Sequence, residues 1–176
     1  VFARNLIHPS HPNISALCTV EEMKQYGTLY KWMGVNVIES YSIVTYGDLF
    51  DYASSLSGVK LIMNSDCSLG EGIGLLPNIL DDSHRIVALS RHEPTMCLSG
   101  TIDIRNKNDP NFHNQCLHFQ GSHDAFGFKN KQIISDDIIK SLRDILPHEL
   151  GAENVVIYEL KNNGMKCQHR GPDNTK

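Results

Sequence analysis

The sequence predicts an α/β fold, a single domain with a mostly parallel central sheet flanked by helices. Three observations predict it. Short apolar runs (VNVIES at 35–40, VKLIM at 59–63, RIVALS at 85–90) alternate with stretches at helical spacing, and strand, helix, strand is the rhythm of a parallel sheet. The length of 176 residues fits one domain with an ordinary core, since domains cluster at roughly 100 to 200 residues. Hydrophobic content of 40% and charged content of 20% exclude a disordered chain or a fibrous repeat.

Residues 1–18 carry the turn-rich HPSHPN and no readable period. TVEEMKQYGTLYKWMG at 19–34 opens with Thr19 and places Glu22 three residues later, which predicts a capped helix ending near Gly34. VNVIES is a strand, and TYGDLFDYASSL spaces Leu49, Phe50, Ala53 and Leu56 as one face of a helix. VKLIM is apolar enough for a strand buried on both faces. GLLPNIL at 74–80 predicts a short helix or turn, and RIVALS a third strand.

Residues 92–116, with NKNDPNFHNQ, are too polar and too long for a plain connection and predict a functional or flexible loop. HDAFGF at 123–128 reads as a further strand. SDDIIKSLRDIL at 135–146 reads as a helix capped by Ser135 or Asp136. AENVVIYELKNNG at 152–164 reads as a helix stopped by Gly164.

The net charge of −4, with basic residues scattered, argues against a surface that neutralises nucleic-acid phosphates. No apolar run approaches the roughly 18 to 20 residues of a membrane span, and the first residues lack a signal-peptide pattern. The abrupt ends suggest a fragment of a longer protein. Five cysteines without C-x-x-C spacing point to reduced thiols. Cys97 and Cys116 would pair in an oxidising compartment, and Asn13-Ile14-Ser15 matches a glycosylation sequon. The balance favours the cytoplasm over the Golgi lumen or secretion.

Chemistry-bearing residues gather where strands end. In open parallel sheets, ligands bind outside the carboxyl ends of the strands, and Asn64, Ser65 and Asp66 come directly after VKLIM. A carboxylate there suits a hard cation that also holds diphosphate oxygens, whereas the plainer alternative is an Asn/Asp turn bonded to its own backbone. RIVALS likewise runs into Arg91, able to grip a phosphate bidentately, or else to sit solvated on a surface loop. Asp124, between small residues and two phenylalanines, is placed for general-base work, while Phe126 and Phe128 read more simply as core residues of an edge strand. Glu153 and Asn154 occupy the first turn of a helix, where an acid also simply complements the helix dipole.

Taken together, TYGDLFDYA, VKLIMNSD, VALSRHE, GSHDAFGF and LGAENVVIYELKNNG resemble, in order and spacing, GT-A glycosyltransferase-like domains over roughly residues 45 to 165. These are nucleotide-sugar-dependent enzymes of bacteria and of large algal viruses. The resemblance implies a single Rossmann-like GT-A domain over 1–176 that moves a hexose or similar sugar from a nucleoside-diphosphate donor to a hydroxyl of a glycan or glycoprotein.

It also implies that Asn64-Ser65-Asp66 stands for the D-x-D motif. Asp66 would then bind manganese or magnesium on the donor phosphates, with His169 completing the metal site. Asn64 departs from the first acid of that motif, and an amide would take its usual contact to ribose or a metal-bound water. Arg91 would face the donor phosphates or the acceptor. His123-Asp124 stands for the Gln-Asp of such domains, with His123 departing from the Gln. Asp124 would be the acceptor base in an inverting enzyme, or would position the acceptor or stabilise the developing oxocarbenium ion in a retaining one, and Glu153 and Asn154 would line the acceptor side. Two alternatives remain: a domain of the same fold that binds a sugar nucleotide without turnover, and a metal-dependent phosphohydrolase using Asp66, Asp124 and histidines.

Overall fold

The structure, a computed structural model, describes residues 14–64, 76–80, 85–92, 119–129 and 134–170; at 90–92, 119–122 and 168–170 the backbone is described. Strand β1 (Ser15–Thr19), helix α1 (Val20–Trp32) and strand β2 (Asn36–Ser40) form a small unit with the two strands paired in parallel from Ser15 opposite Asn36 to Thr19 opposite Ser40. The predicted capping box holds: the Thr19 side chain accepts from the Glu22 N–H, and the Glu22 carboxylate accepts from the Thr19 N–H at 2.8 Å. Helix α2 (Tyr46–Ser55) begins the same way, with Thr45 and Asp48 as the reciprocal pair.

The main sheet is built from β3 (Lys60–Met63), β4 (Arg85–His92), β5 (Phe119–Phe128) and β6 (Lys166–Arg170), in the spatial order β3-β5-β4-β6. Helices α3 (Leu76–Ile79), α4 (Asp136–Ser141) and α5 (Ala152–Asn162) complete the described elements. The α/β class is as expected, but the mostly parallel sheet needs correction. β5 runs antiparallel to both of its neighbours, and the parallel pairing in this sheet is that of β4 with β6. Strands β3, β4 and β6 nevertheless point the same way, because each is opposed to β5 or parallel to a strand that is.

The composition of β5 explains its central place, where the sequence predicts an edge position for HDAFGF. Phe126 and Phe128, 1% and 0% exposed, alternate with Ala125 and Gly127. On one face the two rings meet Tyr46 and Phe50, with Tyr46 edge-on to Phe126 at 5.8 Å and Phe50 stacked on Phe128 at 5.7 Å. On the other face the small residues admit α3, and a Cβ on Gly127 would stand 3.4 Å from the Leu76 side chain. Two bulky residues inward and two small ones outward let helices cover both sides, so neither face of β5 needs solvent.

The larger core joins α2, α4 and α5 to one sheet face through Phe50, Ile62, Ile86, Ile138, Leu142, Val156 and Leu160. A smaller cluster of Leu76, Leu80 and Val87 lies on the other. Helix α4 is shorter than its sequence period predicts, stopping at Ser141, and Ser135 is its cap, with a hydroxyl that accepts from the Ile138 N–H. The turn after α5 uses Gly164 at φ 80°, with the Met165 N–H bonded to the Leu160 carbonyl. This turn folds β6 back along α5. The amino end of α5 is therefore level with the carboxyl ends of β3, β4 and β6. No described helix is long and apolar enough to cross a membrane.

Candidate functional site

The carboxyl edge of the sheet is where the chemistry-bearing residues collect. β3 ends at Met63, and the Asn64 N–H donates to the Asp124 carbonyl at 3.1 Å, extending the β3–β5 ladder by one step. The Asn64 side-chain amide Nδ2 then donates to Asp124 Oδ1 at 3.3 Å. Asp124 is 4% exposed and its neighbour His123 7%. Two residues 60 positions apart in the chain are thus joined twice, by backbone and by side chain.

The strand geometry on the other side of Asp124 is irregular. Ala125 is paired with Leu89 and His123 with Ser90, so Asp124 falls between two consecutive β4 residues with no opposite number there. A second register shift lies between Ser90 and His92, which pairs with Phe119. Bulges of this kind bend a strand and re-aim its side chains, and they concentrate at sheet rims beside functional sites. Arg91 lies within this shifted segment, one strand away from Asp124.

His169 is placed on β6, opposite Ala88, and Arg170 opposite Leu89. Three strand steps separate β6 from β3, which at about 4.8 Å each puts His169 roughly 14 Å across the sheet from the β3 exit. Of the two, Arg170 is in the row nearest the edge, with Met63, Ala125 and Leu89. Glu153 is half-buried and Asn154 exposed in the first turn of α5, on the same side as Asn64 and Asp124. Ser65 and Asp66 lie outside the described residues, as do Cys67, Cys97, Cys116, the sequon Asn13 and the loop predicted at 92–116 except for His92, which is the last residue of β4. Among the described residues no three His, Cys, Asp or Glu side chains converge as metal ligands.

The described cysteines do not add a nucleophile. Burial, and secondarily Glu22, pushes the Cys18 thiol above its ordinary value; burial also raises Cys167, with Lys161 offsetting part of the effect. The thiolate is the reactive form, and both environments disfavour it.

Of the residues the sequence singles out, Asn64 and Asp124 are in contact and Glu153 and Asn154 open α5. Sequence reasoning misses β6 as a strand, because KCQHR has one apolar residue in five. It also misses buried Lys60, 5% exposed, whose ammonium donates to the Lys129 carbonyl at 2.8 Å and stands 5.5 Å from the centre of the Phe128 ring. In the sequence that lysine is one polar letter in an apolar run.

No protein-family model matches this chain, nor does any curated protein or solved structure.

Proposed function

We propose that the chain is a GT-A-type glycosyltransferase domain that moves a sugar from a nucleoside-diphosphate donor to a hydroxyl of a glycan or glycoprotein. The observation that carries this reading is the Asn64–Asp124 contact at the shared carboxyl edge of β3 and β4. It joins the D-x-D-like segment to the candidate base at the place where open sheets bind ligands. The common direction of β3, β4 and β6 supports the Rossmann-like reading of the sheet.

In this reading Asp124 takes the proton of the acceptor hydroxyl as that oxygen attacks the sugar carbon. The Asn64 amide bonds Oδ1 of that carboxylate, and a carboxylate within hydrogen-bond reach of the acceptor is the group that general-base transfer needs. Arg91 faces the donor, His123, Glu153 and Asn154 face the acceptor, and the amide of Asn64 is held on Asp124. A hard cation on the donor phosphates would be held by Asp66; His169, about 14 Å across the sheet from the β3 exit, does not fit the same ion. Manganese or magnesium there would offset the charge of the departing diphosphate.

A second reading, donor binding without transfer, draws on the near-complete burial of Asp124, which limits access to an acceptor.

A thermal-shift screen against uridine, guanosine, cytidine and thymidine diphosphates and their sugars, with and without manganese, tests the proposal. Stabilisation by one nucleotide only with metal is expected, since a ligand that prefers the folded state raises its apparent stability. Asp66→Ala should abolish that shift. Asp124→Asn should keep it while transfer collapses; full transfer by that variant removes Asp124 as the base. No shift with any nucleotide overturns the reading.

A further inference from the structure

The D-x-D comparison directs residue 64 at the donor. Its side chain instead meets Asp124, with Nδ2 donating to Oδ1 at 3.3 Å while the backbone N–H holds the same residue's carbonyl at 3.1 Å. Asp124 sits in the bulge and has no opposite residue on β4, so its regular strand anchorage comes from the β3 side. A carboxylate on a bulged strand has its rotamer set by whatever bonds its oxygens.

We infer that Asn64 is a positioning residue for Asp124, a donor on a neighbouring strand that fixes the orientation of the carboxylate. The departure from an acid at position 64 then has a physical cause. An aspartate there would set two carboxylates about 3 Å apart in a buried place, and like charges so close cannot both stay ionised without a compensating cation. An amide of nearly the same shape supplies a hydrogen where the acid supplies a second charge.

The chemical consequence rests on the glycosyltransferase reading; the contact does not. If Asn64 orients the base, its loss misplaces the oxygen that receives the acceptor proton and leaves the donor site intact. If Asn64 serves the donor, as the D-x-D comparison implies, its loss weakens the nucleotide.

The test uses the full chain with Asn64→Ala, Asn64→Asp, Asp124→Asn and the double variant Asn64→Ala/Asp124→Asn. Nucleotide Kd is measured with manganese, and kcat at saturating donor. For Asn64→Ala we expect Kd within about twofold of the parent and kcat lower by about 100-fold, the loss typical of a misplaced reacting group. Asn64→Asp should fall at least as far, because the proton that the two carboxyls would then share occupies the base. The double variant should be no slower than Asp124→Asn alone, because the positioned group is already gone.

A Kd weakened about tenfold with kcat retained would overturn the inference and assign Asn64 to the donor. Should no nucleotide bind or no transfer occur, the glycosyltransferase reading is what fails. The same four proteins then decide the contact by urea unfolding. A double variant that unfolds no more readily than the worse single one supports the pairing, and fully additive losses overturn it.

Discussion

The two sheets of this protein make opposite uses of their surfaces. The four-stranded sheet is covered on both faces, and Phe50, Phe128, Ile86, Val87, Leu142, Val156 and Leu160 are all 0% exposed. The β1–α1–β2 unit buries Cys18, Met33 and Val35 but leaves Leu29 50% and Trp32 73% exposed. A two-stranded sheet with one helix has too little apolar area to stabilise itself, and it leans on the rest of the molecule. One such contact is a polar relay, in which the Tyr52 hydroxyl of α2 donates to Ser15 Oγ at 3.0 Å and accepts from Asn36 Nδ2 at 3.4 Å. Stability in the large sheet is a matter of packing volume; in the small unit it rests more on hydrogen bonds and caps.

That contrast can be broken first at its strongest point. Phe50→Ala removes a ring that meets both Phe126 and Phe128, and it should lower unfolding free energy by about 3–5 kcal/mol in urea titration. Trp32→Ala, a still larger truncation but of an exposed ring in the small unit, should stay within about 0.5 kcal/mol. Next comes the helix seam. A Cβ on Gly47 would stand 2.8 Å from the Arg143 side chain and 2.9 Å from its backbone N and Cα. Gly47→Ala should therefore destabilise by about 1–3 kcal/mol, as overpacking against backbone does.

The two capping boxes sharpen the comparison further. Thr45→Ala should cost about 1 kcal/mol of global stability, because α2 is locked into the main core. Thr19→Ala should instead speed hydrogen exchange in α1 while moving the global midpoint less, since the small unit opens locally.

The smallest effect belongs to the thiols. With folded-state values raised above the ordinary 9.0, both Cys18 and Cys167 favour folding in their neutral form. Their contribution is full below pH 9.0 and declines as pH rises through the folded values. Cys167→Ser should flatten the alkaline fall in stability measured between neutral pH and the region above 9.0.

How legible this molecule is in its sequence varies with the kind of information needed. Caps and helical periods are local, and Thr19, Thr45 and Ser135 sit where their helices begin. Strand direction is not local. HDAFGF reads as a strand from either end, and its insertion between β3 and β4 depends on partners about 60 and 35 residues earlier in the chain. β6 is illegible because a short polar strand paired along one side carries little apolar signal. At the site, Asn64 stands out because it ends an apolar run, and Asp124 because small and aromatic residues flank it. Their contact is beyond sequence reasoning, because it needs the antiparallel pairing that no local pattern announces.

The middle position of β5 has a consequence for the order in which the molecule is made. β3 and β4 do not touch as neighbours; residues 119–128 lie between them. A nascent chain that has emerged only as far as β4 holds two strands with open edges and no ladder to join them. Sheet closure waits for a segment synthesised later, a high-separation contact of the kind that slows folding. Because the inserting strand also brings Asp124, the moment the sheet closes is the moment the carboxylate meets Asn64. Partly folded molecules are thus assembled without their candidate base in place.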